Sequence, residues 1–150
     1  MPHLNAMMMT SQQTRLQVMD VLDKMAAYYS RKDLENLLTL IAPEISGFGS
    51  GPDEVIQNKD EYRRHVERDF SQSDMLTMAL SDISISAEGT IAWVCCNCTI
   101  TTEERGGTLV LRGRLTAVLR GTGYTWIFTQ IHFSLPATDQ APGRSFPGSS

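Results

Sequence analysis

The sequence predicts a single α+β domain, a mostly antiparallel sheet covered by helices from the first half of the chain. Three observations carry this expectation. Up to about residue 70 apolar residues recur mainly at three and four positions, the helical period; beyond it they alternate, as in strands. The late strand-like runs are separated by short turns bearing Gly106-Gly107 and Gly121-Thr122-Gly123, which suit antiparallel neighbours. Finally, the run at 107–120 places Leu109, Leu111, Leu115, Ala117 and Leu119 on one side. Val110, Arg112, Arg114, Thr116, Val118 and Arg120 fall on the other, so one face is apolar throughout and fits against helices.

Taken in order, residues 1–9 are expected to be a disordered leader, and Met7, Met8 and Met9 suggest an alternative start or a loose leader. Thr10-x-x-Gln13 resembles a capping box opening a helix to about Tyr29. Its stripe is Leu16, Met19, Leu22, Met25, Ala26 and Tyr29. A second helix is expected from Ser30, with Leu34, Leu37, Leu38 and Ile41 on one face, ended by Pro43. Glu44–Phe48 reads as a short strand and Gly49-Ser50-Gly51-Pro52 as a loop. Asn58-x-x-Glu61 opens a third helix in which Tyr62, His65, Val66, Asp69 and Phe70 share a face. Leu76, Met78 and Leu80 then alternate in one phase and Ile83 and Ile85 in the other, which predicts a β-bulge and a bent sheet.

Further strands are expected at about 90–102, 107–120 and 124–135, as an antiparallel meander. In the last, strict alternation puts Ile127, Thr129, Ile131, Phe133 and Leu135 inward. Trp126, Phe128, Gln130, His132 and Ser134 then face outward, a mixture of aromatic and polar groups that suits contact with a partner. The domain is thus expected over 10–136, with residues 137–150 a mobile tail rich in Pro, Gly and Ser.

A chain of 150 residues has room for one real core. Its net charge of −4 argues against nucleic acid as a partner. The charge is uneven, since no Asp or Glu occurs from Arg105 to Thr138. No apolar run is long enough for a membrane span, and the N-terminus lacks a signal-peptide layout. Cys95, Cys96 and Cys98 are clustered and odd in number, which fits a reducing compartment; a cytoplasmic protein is expected.

Three stretches together resemble the SnoaL-like branch of the nuclear transport factor 2-like superfamily. They are Tyr29–Glu44, read as a short helix then a strand; Ala92-Trp93-Val94; and Arg114-x-Thr116-x-Val118-Leu119 followed by Trp126-x-x-x-Gln130-x-His132-x-Ser134. The last pattern is similar to the end of the association domain of calcium/calmodulin-dependent protein kinase type II. Over residues 12–136 the resemblance implies a cystatin-like cone, a curved sheet wrapped around helices with a pocket at its open end. It also implies homodimers joined through the outer sheet face. Isomerases, cyclases, dehydratases and plain oligomerisation modules share this fold, so the fold does not fix the function.

Ketosteroid isomerases of this fold use an Asp base with a Tyr and a protonated Asp as oxyanion donors. Aligned on the Lys32-Asp33-Leu34 turn, the resemblance puts Gly49 at the base position and Met25 at that of the tyrosine. The strand at 107–120 has no acid for the third role, so steroid isomerisation is not expected. Two weak catalytic candidates remain. Asp69 lies beside an apolar face, and His65 is either a pocket base or a half-buried histidine with a backbone partner. Cys96-x-Cys98 lacks a second ligand pair, so no metal is expected, and Cys95 reads as a small core residue. The kinase association domain binds carboxylates through pocket arginines, but alternation turns Arg112, Arg114 and Arg120 outward here.

The expected pocket is mainly apolar and lined by Tyr29, Phe48, His65, Trp93, Cys95, Asn97, Ile131 and Phe133. Asn97, Thr129, Tyr29 and His65 are its expected polar handles. The expected dimer interface is Arg112, Arg114, Trp126, Phe128 and His132. The leading function is binding of a small, mainly apolar molecule without a cofactor. The alternatives are cofactor-independent isomerase, cyclase or dehydratase chemistry with His65 as base, and an oligomerisation module with a vestigial pocket.

Overall fold

A computed structural model describes residues 2–148, with side chains from Gln12 onward. Met1 of the expected leader and Ser149 and Ser150 of the expected tail lie outside the described residues. Helix α1 spans Pro2–Ser30, so Thr10 falls within it, not at its start. Its buried stripe is Val18, Val21, Leu22, Met25 and Tyr29. Leu16, expected in the stripe, is 73% exposed: the buried face lies about one residue further round the helix than the Leu16–Met19 spacing implied.

Helix α2 is only Leu34–Leu38, capped by Asp33, whose carboxylate accepts from the Asn36 N–H at 3.3 Å. It ends well before Pro43. The Phe128 N–H bonds to Leu40 O at 2.8 Å and draws the chain into the sheet, where strand β1 runs Ile41–Phe48. Pro43 sits in the stretch between Ile41 and Ser46 where the register of β1 on its neighbour shifts, so its missing N–H breaks no regular ladder. Strand β2, Val55–Ile56, is too short to show alternation and was not foreseen. Helix α3, Lys59–Ser71, opens as expected, with Asn58 Oδ1 accepting from Glu61 N–H at 2.9 Å.

Strands β3 (Met75–Glu88), β4 (Ile91–Glu104), β5 (Gly107–Gly121) and β6 (Trp126–Ser134) form the meander. The six-stranded sheet has the order β2-β1-β6-β5-β4-β3, with β1 parallel to β6 and every other pair antiparallel. The expected bulge in β3 lies between Ser81 and Ser84, where Asp82 takes φ 52°. Curvature lets α1 touch β3 and also β6, with two strands between them in the sheet.

The inward face of β5 matches the alternation, and its register carries Ala92, Val94, Cys96, Cys98 and Ile100 of β4 inward with it. Two expectations fall here. Trp93, Cys95 and Asn97 pair with Val118, Thr116 and Arg114 on the outer face, so Cys95 is exposed and Trp93 is 46% exposed. The neighbouring Cys96 and Cys98 take the core positions instead.

The second correction is a bulge in β6. Leu119 pairs with Phe128 but Val118 pairs with Gln130, leaving Thr129 as the extra residue; its hydroxyl donates to Val118 O at 3.2 Å. Alternation reverses across Thr129. Trp126 and Phe128 are therefore buried, at 7% and 0% exposure, together with Ile131 beyond the bulge. The Trp126 indole N–H donates to Gln17 Oε1 at 2.9 Å, tying β6 to α1. Neither aromatic belongs to an outer interface.

Close approach across the sheet needs two glycines. At Gly47, with φ 152°, an added Cβ would lie 1.6 Å from Ile131 O, and at Gly113 one would lie 2.3 Å from the Phe133 ring.

Candidate functional site

A cavity of about 270 Å³ opens where α3, the 49–56 segment, the start of β3 and the β4–β5 hairpin meet. Met25, Ile56, Val66, Leu76, Met78, Ile100, Leu109, Leu111, Leu115, Ile131 and Phe133 form its apolar wall. The polar groups are Tyr29, Ser50, Glu54, Tyr62, His65, Asp69, Gln72, Ser73, Thr102 and Glu104. Tyr62, His65 and Asp69 come from one face of α3, at the three- and four-residue spacing that aligns side chains on a helix.

Tyr29 and Asp69 form the centre of the site. The Tyr29 hydroxyl donates to Asp69 Oδ2 at 2.8 Å, joining the last turn of α1 to α3. Burial holds the Asp69 carboxyl above the ordinary carboxylate range; the Tyr29 bond opposes this, and the nearby Glu54 adds to it. Burial, and then the Asp69 charge, push the Tyr29 hydroxyl far above an ordinary phenol, so Tyr29 is a neutral donor. Tyr62 is raised for the same two reasons.

His65 Nε2 lies 3.1 Å from Val55 O and donates its N–H there, which leaves Nδ1 outside that bond. The Glu54 carboxylate folds back onto the Gly51 N–H, and Gly49 N–H bonds Glu54 O at 2.8 Å. Arg68 on α3 binds Asp53 at 2.6 Å and stands 3.6 Å from Glu54. The rim segment is thereby fastened to the helix that carries Asp69.

The structure brings Tyr29, His65, Ile131 and Phe133 to the cavity as the sequence suggested, with Phe48 at its rim, ring centroid 5.4 Å from that of His132. It does not bring Trp93, Cys95 or Asn97, which lie on the outer face; Asn97 there donates to Asp82 Oδ2 at 2.8 Å. Thr129 is committed to the bulge. Met25 and Gly49, which the resemblance set at the phenol and base positions of the isomerases, both line the cavity. A phenol and a carboxyl nonetheless enter from elsewhere: Tyr29 one turn after Met25, and Asp69 from α3. Glu54 and Glu104 were missed. The signal for Glu54 was the glycine pair at 49 and 51, which admits a carboxylate against the backbone.

Arg112, Arg114 and His132 lie on the outer face with Trp93, Cys95 and Asn97. Burial pushes the Cys96 thiol up to about 11 and the Cys98 thiol up to about 12, which leaves both as inert core groups. Among the described residues, no three His, Cys, Asp or Glu side chains stand close enough to share a metal ion, and no helix is long and apolar enough to cross a membrane.

N-terminal helices packed on a curved, mostly antiparallel six-stranded sheet place the fold in the nuclear transport factor 2-like class. Residues 18–138 match the SnoaL-like domain family, and the chain belongs to it. Solved structures agree on the fold. A proposed dehydratase of the nuclear transport factor 2-like family from Streptomyces avermitilis is 20% identical over 85% of this chain and 99% of its own, with a TM-score of 0.77. A nuclear transport factor 2-like superfamily protein from Salmonella enterica serovar Typhimurium is 16% identical over 90% and 99%, at 0.76. A proposed calcium/calmodulin-dependent protein kinase II association domain from Xanthomonas campestris is 15% identical over 81% and 86%, at 0.72. At these identities the likeness speaks for fold alone. A search of curated protein sequences found no match.

Proposed function

We propose that the cavity takes up a small, mainly apolar molecule and that Asp69, oriented by Tyr29, handles its one polar group. The observation that carries this is the half-buried carboxyl, bonded on one oxygen only by a neutral phenol, within an otherwise largely apolar wall. An open cavity lined by converging polar groups counts against a vestigial pocket in a pure oligomerisation module. Such a carboxyl also suits cofactor-independent proton transfer, since a raised pKa brings an acid closer to neutral working conditions. On that reading Asp69 is the proton acceptor, and Tyr29 holds Oδ2 so that Oδ1 meets the ligand. His65, whose N–H goes to Val55 O, is a second proton acceptor through Nδ1. Isomerisation, cyclisation and dehydration all need such a group, and the dehydratase name of the Streptomyces relative is in keeping with it.

Dimerisation belongs to the same proposal. The outer face presents Trp93 with Arg112, Arg114 and His132, residue types that dominate interface energetics. Native mass spectrometry of gently purified protein, followed by thermal-shift screening of small apolar ketones, alcohols, amines and acids, tests the binding function. A co-purified or stabilising small molecule that Asp69→Asn releases supports it. Complete indifference of the melting curve to all four classes overturns it.

A further inference from the structure

The charge of the cavity wall narrows the ligand class further, an inference that rests on the binding function proposed above. Three carboxylates, Glu54, Asp69 and Glu104, line the cavity, and among the described residues no lysine or arginine does. The cations nearby are committed elsewhere. Arg68 is bound to Asp53 and Glu54 at the rim. Lys32 donates to the carbonyls of Phe70, Ser73 and Asp74 at the end of α3. Asp69 Oδ2 accepts from Tyr29, and among the described residues no donor bonds its Oδ1. The rings of Tyr29, Tyr62 and Phe133 stand in the same wall, and aromatic faces attract cations.

We infer that the ligand of this cavity is a protonated amine on a small apolar body, its ammonium donating to Asp69 Oδ1 while the body fills the apolar wall. A carboxylate-bearing molecule of the same shape is disfavoured, because it meets the carboxyl groups of Glu54, Asp69 and Glu104 and no lysine or arginine in the wall. The groups facing Asp69 are Tyr29 from α1, Tyr62, His65 and Arg68 from its own helix, and Glu54 from the rim.

Isothermal titration of the full chain with 2-phenylethylamine, 2-phenylethanol and 3-phenylpropanoate, and the three cyclohexyl counterparts, tests this. We expect the amines to bind at least tenfold more tightly than the carboxylates. Asp69→Asn should weaken the amines about tenfold and shift the alcohols by less than threefold. Glu104→Gln, at the exposed rim, should weaken the amines two- to threefold and serves where the Asp69 variant folds poorly. Carboxylates binding as tightly as amines overturn the inference but leave the binding function standing. So do alcohols binding while amines do not. Silence from all six compounds sinks both.

Discussion

Lys32 ties the turn after α1 to the end of α3. It takes φ 56°, a left-handed conformation, at the turn between α1 and α2. From there its ammonium reaches the C-terminal end of α3, donating to Phe70 O at 2.9 Å, to Ser73 O, and to Asp74 O at 3.4 Å. These carbonyls lie at and just beyond the end of α3, where a cation also meets the negative end of the helix dipole. A hydrogen bond from a charged donor contributes about 1.5–3 kcal/mol, and the two shorter bonds are part-buried. The third is long and exposed and adds little. Water can partly replace the lost donor, so Lys32→Met should cost about 2–4 kcal/mol.

Lys32→Gly separates the clamp from the backbone. It loses the same bonds but relieves a left-handed residue of about 1 kcal/mol, so it should be less damaging than Lys32→Met. Urea unfolding at fixed protein concentration, followed by fluorescence of the buried Trp126, measures both. A methionine variant within about 0.5 kcal/mol of the parent would refute the clamp. A glycine variant less stable than the methionine one would refute the backbone part. Because Asp69 directly precedes Phe70, loosening the clamp should also weaken ligand binding while leaving Tyr29 intact.

Three other outcomes are expected. Phe128→Ala should cost about 3–5 kcal/mol, the range for emptying a fully buried aromatic site, and a loss below about 1 kcal/mol in urea unfolding would put Phe128 back on the surface. Trp93→Ser combined with Arg114→Glu should give a folded monomer by light scattering; an unchanged dimer would remove the outer face from consideration. Raising the Asp69 pKa by burial means that the parent loses stability as pH climbs from the unfolded value, about 3.8, through the raised folded one. Asp69→Asn lacks that loss, so its stability relative to the parent should improve across this window and then level off; a flat difference from acid to neutral pH contradicts the assignment.

Much of the fold was legible because most of its strands carry their burial in simple alternation. The apolar face of β5 at Leu115, Ala117 and Leu119 needed only period two, and Asn58-x-x-Glu61 announced α3 through its own capping chemistry. The bulge in β3 was also visible, since it separates two apolar runs, Leu76-x-Met78-x-Leu80 and Ile83-x-Ile85, that are out of phase. The bulge in β6 was not. Across Thr129 both phases are apolar: Ile127, Ile131 and Phe133 make one consistent face, while Trp126 and Phe128 make another. A strand apolar on both sides gives no phase error to detect, and only its pairing with Val118 and Leu119 decides.

The same ambiguity explains why the site was only partly legible. Residues on helices kept their faces, so Tyr29, His65 and Asp69 converge as their spacing allows. Those on β4 did not, because Trp93-x-Cys95-x-Asn97 and Val94-x-Cys96-x-Cys98 are both plausible inward sets, and their phase is inherited from β5 through Cys96↔Leu115. Had the unambiguous alternation of β5 been carried across the hairpin at Gly106-Gly107, the register would have turned Cys96 and Cys98 inward and Trp93 outward. That exchange has a functional consequence. It takes the Trp93 ring and the Asn97 amide out of the cavity and leaves its polar character to Tyr29, the α3 face and the rim carboxylates. The pocket therefore holds more acids than the acid-free stretch from Arg105 to Thr138 suggested, since they come from the first 104 residues: Glu54 from the rim, Asp69 from α3 and Glu104 from the last residue of β4.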